Sequence, residues 1–116
     1  MTSNLIYHLV SKNYWDAQPM DRPYLPADYE REGFIHCTRG EQQLVVVANR
    51  YYRNDPGEWL VLVVDERAVT SEIKYEAGAD KVLYPHIYGA LNRDAIRDVR
   101  HMPRAADGTF ETWSPR

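Results

Sequence analysis

Three histidines in apolar or aromatic surroundings, His8, His36 and His86, carry most of the chemical reach of this chain. A neutral imidazole donates from one nitrogen and accepts at the other, which suits a ribose diol, a stacked ring or proton transfer. His36 stands at a hinge. Gly33 supplies a positive-φ turn, Phe34 to Cys37 read as a very short strand, and Thr38 with Glu41 has the capping-box spacing that opens a long helix running to Arg53. A strand end is rigid and a helix N-terminus offers free N–H donors and positive potential, so this junction is the expected functional centre. Tyr84 and Tyr88 flank His86, with Gly89 behind, as a binding edge.

Two other chemistries are weighed and set aside. His36 and Cys37 are neighbours in a strand and point to opposite faces, which excludes a thiol–imidazole pair and makes Cys37 a core filler beside Ile35. A zinc site of His8, His36 and His86 lacks a local HxH or HxxxH pair, so no metal ligand is assigned. The remaining reading gathers the three histidines in a cleft for a small molecule or nucleotide.

The elements that must position these residues follow from periodicity. Asn4 to Val10 sets Ile6, His8 and Val10 on one face and Leu5, Tyr7 and Leu9 on the other. Both faces are largely apolar, which predicts an interior strand in which His8 needs a hydrogen-bond partner. Ser11 caps a short helix over Lys12 to Ala17 that ends before Pro19. Gln18 to Arg31 holds three prolines and reads as an irregular loop with one helical turn near Asp28 to Arg31, either a lid with Tyr24 and Tyr29 as its contacts or a plain surface excursion.

In the long helix Leu44, Val47, Ala48 and Tyr51 share a face, and Arg50 and Arg53 suit its C-terminal end. Asn54 to Gly57 is a turn, and Trp59 to Val64 is an unbroken apolar run fit for the central strand. Ser71 to Glu76 alternates, Lys81 to Leu91 carries His86, and Ala95 to Met102 makes a last strand stopped by Pro103. Residues 1–103 are thus expected to form one α+β domain of mainly antiparallel sheets with one long helix. Residues 104–116 form a C-terminal tail or a terminal hairpin turned at Asp107 and Gly108, with the frayed tail favoured.

Composition narrows the classes further. A chain of 116 residues buries a core without disulfides or structural metal, and its single cysteine excludes an intramolecular disulfide and points to a reducing cytoplasm. No window approaches a membrane span, and a net charge of -3 argues against a nucleic-acid surface. There is no GxGxxG, Walker loop, CxxC or HExxH. The oligomeric state is not legible.

The strings IYHLVS (Ile6 to Ser11), GFIHCT followed by EQ (Gly33 to Gln42), ANRYYR (Ala48 to Arg53) and YPHIYGAL (Tyr84 to Leu91) resemble the bacterial family called domain of unknown function 952. That family is grouped with the ADP-ribosyltransferase-like superfamily, whose members bind NAD between two antiparallel sheets. The resemblance implies that His8 meets the adenosine-side ribose, that His36 takes the place of an aromatic packed on nicotinamide, and that Thr38 fills a hydroxyl position. It implies a catalytic set of His8, His36 and His86 and a ligand-binding set of His8, Ser11, His36, Thr38, Tyr84 and Tyr88, with NAD as cofactor. The superfamily's third motif normally brings a glutamate. None stands around His86, and Glu32, Glu41 and Glu76 qualify by type alone. The expected function is binding of NAD or a related nucleotide, with ADP-ribosyl or 2′-phosphotransferase-like chemistry. The alternative is a binding module for a small molecule or a protein that has lost the chemistry.

Overall fold

The computed structural model describes residues 4–113. In chain order these form β1 (Leu5–Ser11), α1 (Lys12–Ala17), α2 (Tyr29–Glu32), β2 (Ile35–His36), α3 (Glu41–Tyr52), β3 (Trp59–Asp65), β4 (Glu72–Ala77), β5 (Leu83–Tyr88) and β6 (Ile96–His101). Two three-stranded antiparallel sheets result, one ordered β1-β3-β6 and the other β2-β5-β4.

The apolar run of β3 has a direct cause, because both of its faces are covered. Leu60, Leu62 and Val64 join Ile6, Val10, Ile35, Cys37 and Ile87 in the core between the sheets. Val61 and Val63 pack on the other side with Leu44 and Ala48 of α3, Met102 and Phe110. The layers are therefore α3, first sheet, second sheet. β3 is the central strand, as its sequence predicts, whereas β1 is an edge strand. Its doubly apolar pattern reflects cover on both faces and not a strand on each side. A single bridge, with Tyr7 and Thr38 exchanging two N–H···O bonds of 2.8 Å, ties this edge to the chain leaving β2.

Several local expectations hold and others need correction. Ser11 caps α1 by accepting from the Tyr14 N–H at 3.2 Å. Gly33, at φ 83°, ends α2 and turns the chain into β2. The capping box does not form. The residue before α3 is Gly40, no side chain caps the helix, and Thr38 is buried in its bridge two residues earlier. The apolar face of α3 closes on Leu44 and Ala48, whereas Tyr51 is 60% exposed. Tyr24, proposed as a lid contact, is wholly buried and joins the core between the sheets. A bridge between Tyr24 and Leu91 pins the middle of the loop. The chain does not fray after Pro103. An Arg104–Phe110 bridge closes a terminal turn and buries Phe110 against the first sheet, and Trp113 meets the Tyr7 ring edge-on at 5.0 Å. Residues 114–116 of the expected tail lie outside the described residues.

Gly89 ends β5 at φ 145°, and a Cβ there would lie 2.4 Å from Ser71 Oγ, whose hydroxyl donates to the Ala90 carbonyl. Gly89→Ala is therefore expected to destabilise the fold by about 2 kcal/mol, read as a lower urea midpoint with an unchanged m-value.

Candidate functional site

The site is built where the two sheets meet. β2 and β5 pair so that His36 lies directly opposite His86, and β4 continues the row with Lys74 opposite His86. Cross-strand partners share a face, so these side chains stand on the side of the second sheet away from Ile35, Cys37 and Ile87. Cys37 is buried as expected, and burial pushes its thiol well above the ordinary range, which leaves it inert.

Each of the two paired imidazoles has a carboxylate. Glu32, the last residue of α2, accepts from His36 Nε2 at 3.0 Å. Glu76, on β4, accepts from His86 Nδ1 at 2.8 Å and from the Tyr88 hydroxyl at 2.5 Å. The imidazole hydrogen bond, with that from Arg31, holds Glu32 below the ordinary carboxylate range. The Tyr88 hydroxyl and then His86 do the same for Glu76. With one nitrogen of each ring occupied, Nδ1 of His36 and Nε2 of His86 are the positions left for exchange with a ligand. Phe34 stacks on His86 with ring centroids 4.0 Å apart and touches His36 at 4.6 Å, and the two imidazoles lie 5.4 Å apart edge to face.

His8 is disposed differently. Its Nδ1 lies 2.6 Å from the His36 carbonyl, which can only accept, so Nδ1 carries the proton. Nε2 then accepts from the Tyr24 hydroxyl at 2.9 Å. Both nitrogens are engaged by the protein. Burial, the largest influence, lowers the pKa of His8 to about 4, so the ring is neutral near pH 7. In this arrangement His8 holds the backbone of His36, and neither ring nitrogen is left over for a ribose.

Two adjoining lobes open around these residues. The smaller, about 370 Å³, runs along the β1 edge and is lined by His8, Leu9, Ser11, Tyr14, Tyr52 and Trp59 among others. The larger, about 510 Å³, is lined by Glu32, Arg31, Arg50, Tyr84 and His86 among others. His36 and Thr38 belong to both walls. The β1 edge matters here. Because Tyr7 spends its N–H and C=O on Thr38, the antiparallel alternation turns the N–H and C=O of Leu9, two residues on, toward the same open edge. The Trp59 indole N–H, buried at the wall of this lobe, is the one buried side-chain donor without a protein acceptor among the described residues.

The structure thus brings His36, Thr38, Tyr84 and His86 to one lobe and His8 and Ser11 to the other. Tyr88 stands off the cleft, bonded to Glu76 and covered by the Lys74 ammonium 4.9 Å from its ring centroid. Tyr84 is held by Asp80, which accepts its hydroxyl proton, and by Gln43. Glu41 bonds the Thr112 hydroxyl and takes no part in either lobe. No group of three or more His, Cys, Asp or Glu side chains suited to a metal occurs among the described residues. No described helix is long and apolar enough to cross a membrane.

The two partners that sequence reasoning left unplaced are Glu32 and Glu76. Strand parity carries the signal for Glu76. In the β4–β5 hairpin, Glu76 lies opposite Tyr84 on the face that also holds His86, two pairs further along. Glu32 reaches His36 across the Gly33 turn and leaves no periodic trace.

Fold and site together define an α+β protein of two small antiparallel sheets with a histidine-lined cleft along the β1 edge and the face of the second sheet turned away from the core. The chain belongs to the family described as "Protein of unknown function (DUF952)", which it matches over residues 9–99. Among solved structures it is similar to the crystal structure of protein CC0527 from Caulobacter crescentus, with 25% identity, a TM-score of 0.79, and 92% of this chain and 93% of that one covered. The solution NMR structure of CC0527 gives 25% identity, a TM-score of 0.73 and 90% of each chain covered. No curated protein matches the chain.

Proposed function

We propose that this protein binds NAD or a related nucleotide across the two lobes, as an ADP-ribosyltransferase-like domain whose long helix α3 backs the first sheet. The observation that carries the reading is the open peptide edge of Leu9 in the smaller lobe. One N–H and one C=O side by side are the complement of a primary carboxamide such as that of nicotinamide. Tyr14, Tyr52 and Trp59 offer aromatic surface around that edge, and Arg31 and Arg50, paired with Asp28 and Glu32 and with Asp80, bring guanidiniums for phosphates to the larger lobe. Glycosidic cleavage of NAD develops an oxocarbenium ion, and Glu32 beside His36 is, with Asp28, a carboxylate on the cleft wall suited to stabilise it. A cytoplasmic setting, where NAD is at hand, agrees with this reading.

Titration of ¹⁵N-labelled protein with NAD, ADP-ribose and nicotinamide tests it. Saturable shifts are expected at Leu9, His36 and Thr38, with nicotinamide moving Leu9 alone. His36→Ala is expected to weaken NAD binding at least tenfold while keeping the fold, because its side chain is 52% exposed. Binding with no release of nicotinamide would favour the non-catalytic alternative. Absence of shifts at millimolar ligand would overturn the reading.

A further inference from the structure

The paired imidazoles of the larger lobe support a second chemistry that the carboxamide edge does not need. Acid–base catalysis at one centre requires one group to take a proton while another gives one, and each must be held in a fixed orientation. His36 and His86 meet that requirement as cross-strand neighbours, each with its far nitrogen on a glutamate and its other nitrogen left over. Glu32 and Glu76 fix the tautomers, as second carboxylates do for working histidines generally. Two guanidiniums line the same lobe, Arg31 paired with Asp28 and Glu32 and Arg50 paired with Asp80, and a phosphate bound there would draw on both. A lobe of about 510 Å³ falls in the size range of small-ligand sites, which favours a mononucleotide over a polymer.

We propose that the larger lobe hydrolyses nucleoside 2′,3′-cyclic phosphates, with His36 as general base and His86 as general acid. His36, the more exposed of the two, takes a proton from water at Nδ1 as the water oxygen bonds to phosphorus. The P–O bond to one ribose oxygen breaks, and that oxygen receives the proton from Nε2 of the His86 imidazolium. The product is a phosphomonoester with a free neighbouring hydroxyl, and solvent returns the proton from His36 to His86. Glu32 and Glu76 are positioning residues. Water is the co-reactant, and no oxidant, reductant or metal enters the balance.

The experiment follows adenosine 2′,3′-cyclic phosphate by ³¹P NMR with the full chain. Turnover with a bell-shaped pH dependence of kcat/KM is expected, falling at least 100-fold in His36→Ala and in His86→Gln. The glutamine variant is chosen because His86 packs under Phe34, and ¹⁵N spectra check that both variants fold. His86 faces Glu76 and Lys74 from β4, Tyr88 from its own strand, and Phe34 and His36 from the β2 side. Glu76→Gln removes the carboxylate that orients His86 and is expected to lower kcat while KM stays near wild type, a split that loss of packing alone does not produce. Undetectable wild-type turnover, or turnover that survives in the His36→Ala, His86→Gln double variant, would overturn the proposal. NAD-induced shifts at Leu9 are read separately, so either result leaves the carboxamide-edge reading to its own test.

Discussion

His8→Ala is expected to lose about 4 kcal/mol of stability at pH 7.5, the largest single-site loss in the cleft. The substitution empties a buried volume and also leaves the Tyr24 hydroxyl and the His36 carbonyl without their partner. A pH dependence accompanies it. In the unfolded chain His8 takes up a proton near its ordinary pKa of 6.5, whereas in the folded protein it does so only at about 4. Between those values the unfolded chain binds more protons, so acid favours unfolding. The contribution is complete above pH 6.5 and is lost as pH falls toward 4. It amounts to about 3 kcal/mol at about 1.4 kcal/mol per pH unit. Urea unfolding of wild type and His8→Ala at pH 7.5 and pH 5 measures both effects. The two proteins should converge as the pH falls, because the variant has already lost the group that titrates. Equal slopes of stability against pH would show that His8 is not buried as the neutral ring described above. Such a result would remove the basis for assigning it a positioning part.

The resemblance implies a ribose-binding part for His8, whereas in the structure the protein itself engages both ring nitrogens, for a physical reason. The alternation of Ile6, His8 and Val10 predicts burial on one face and the need for a partner, and both hold. Periodicity cannot tell which partner arrives. Tyr24 comes from a proline-rich loop without period, and the His36 carbonyl comes from a strand of only two residues. β3, β4 and α1 were legible because each carries an unbroken apolar run, an alternation or a capping serine, and β6 through the apolar markers Ile96 and Val99, whereas β5 reads as a binding edge and not as a strand. His36 is read from its place at the strand–helix hinge, Tyr84 and His86 from the aromatic edge, and Thr38 from the family resemblance; all four line the larger lobe, and Tyr84 and His86 share one strand face. Tyr88 has the same parity but lies beyond the cleft end, a matter of distance along the strand that parity does not encode. The N-terminus of α3 was misread because Thr38 and Glu41 have the right spacing while the backbone of Thr38 is already committed to Tyr7.

The second large effect lies outside the cleft, in a residue that no sequence pattern singles out. α3 ends at Tyr52 with Arg53 still helical, so its last carbonyls have no N–H ahead of them in the helix, and that of Tyr52 takes the Asp55 N–H at 2.9 Å from the turn beyond. Arg104 supplies further donors. Its guanidinium donates to the carbonyls of Tyr52 at 3.2 Å, Arg53 at 2.9 Å, Gly57 at 2.8 Å and Gly108 at 3.0 Å, and also to that of Asp55. It stands 4.3 Å from the centroid of the Phe110 ring. One side chain thus ties the helix end, the turn before β3 and the terminal segment together. Arg104→Ala is expected to cost about 3 kcal/mol, a fall in Tm on the order of 10 °C for a domain of this size. Arg104→Lys should recover little, because a point charge on a flexible stem cannot span carbonyls arranged for a planar fork. Ending the chain after Pro103 removes Phe110 as well, which is 1% exposed, and is expected to abolish cooperative unfolding. A boundary at residue 103 therefore cuts through the packing that holds α3 on the first sheet. Wild-type stability in a chain ended there would mean that Leu44, Ala48 and Val61 suffice without it.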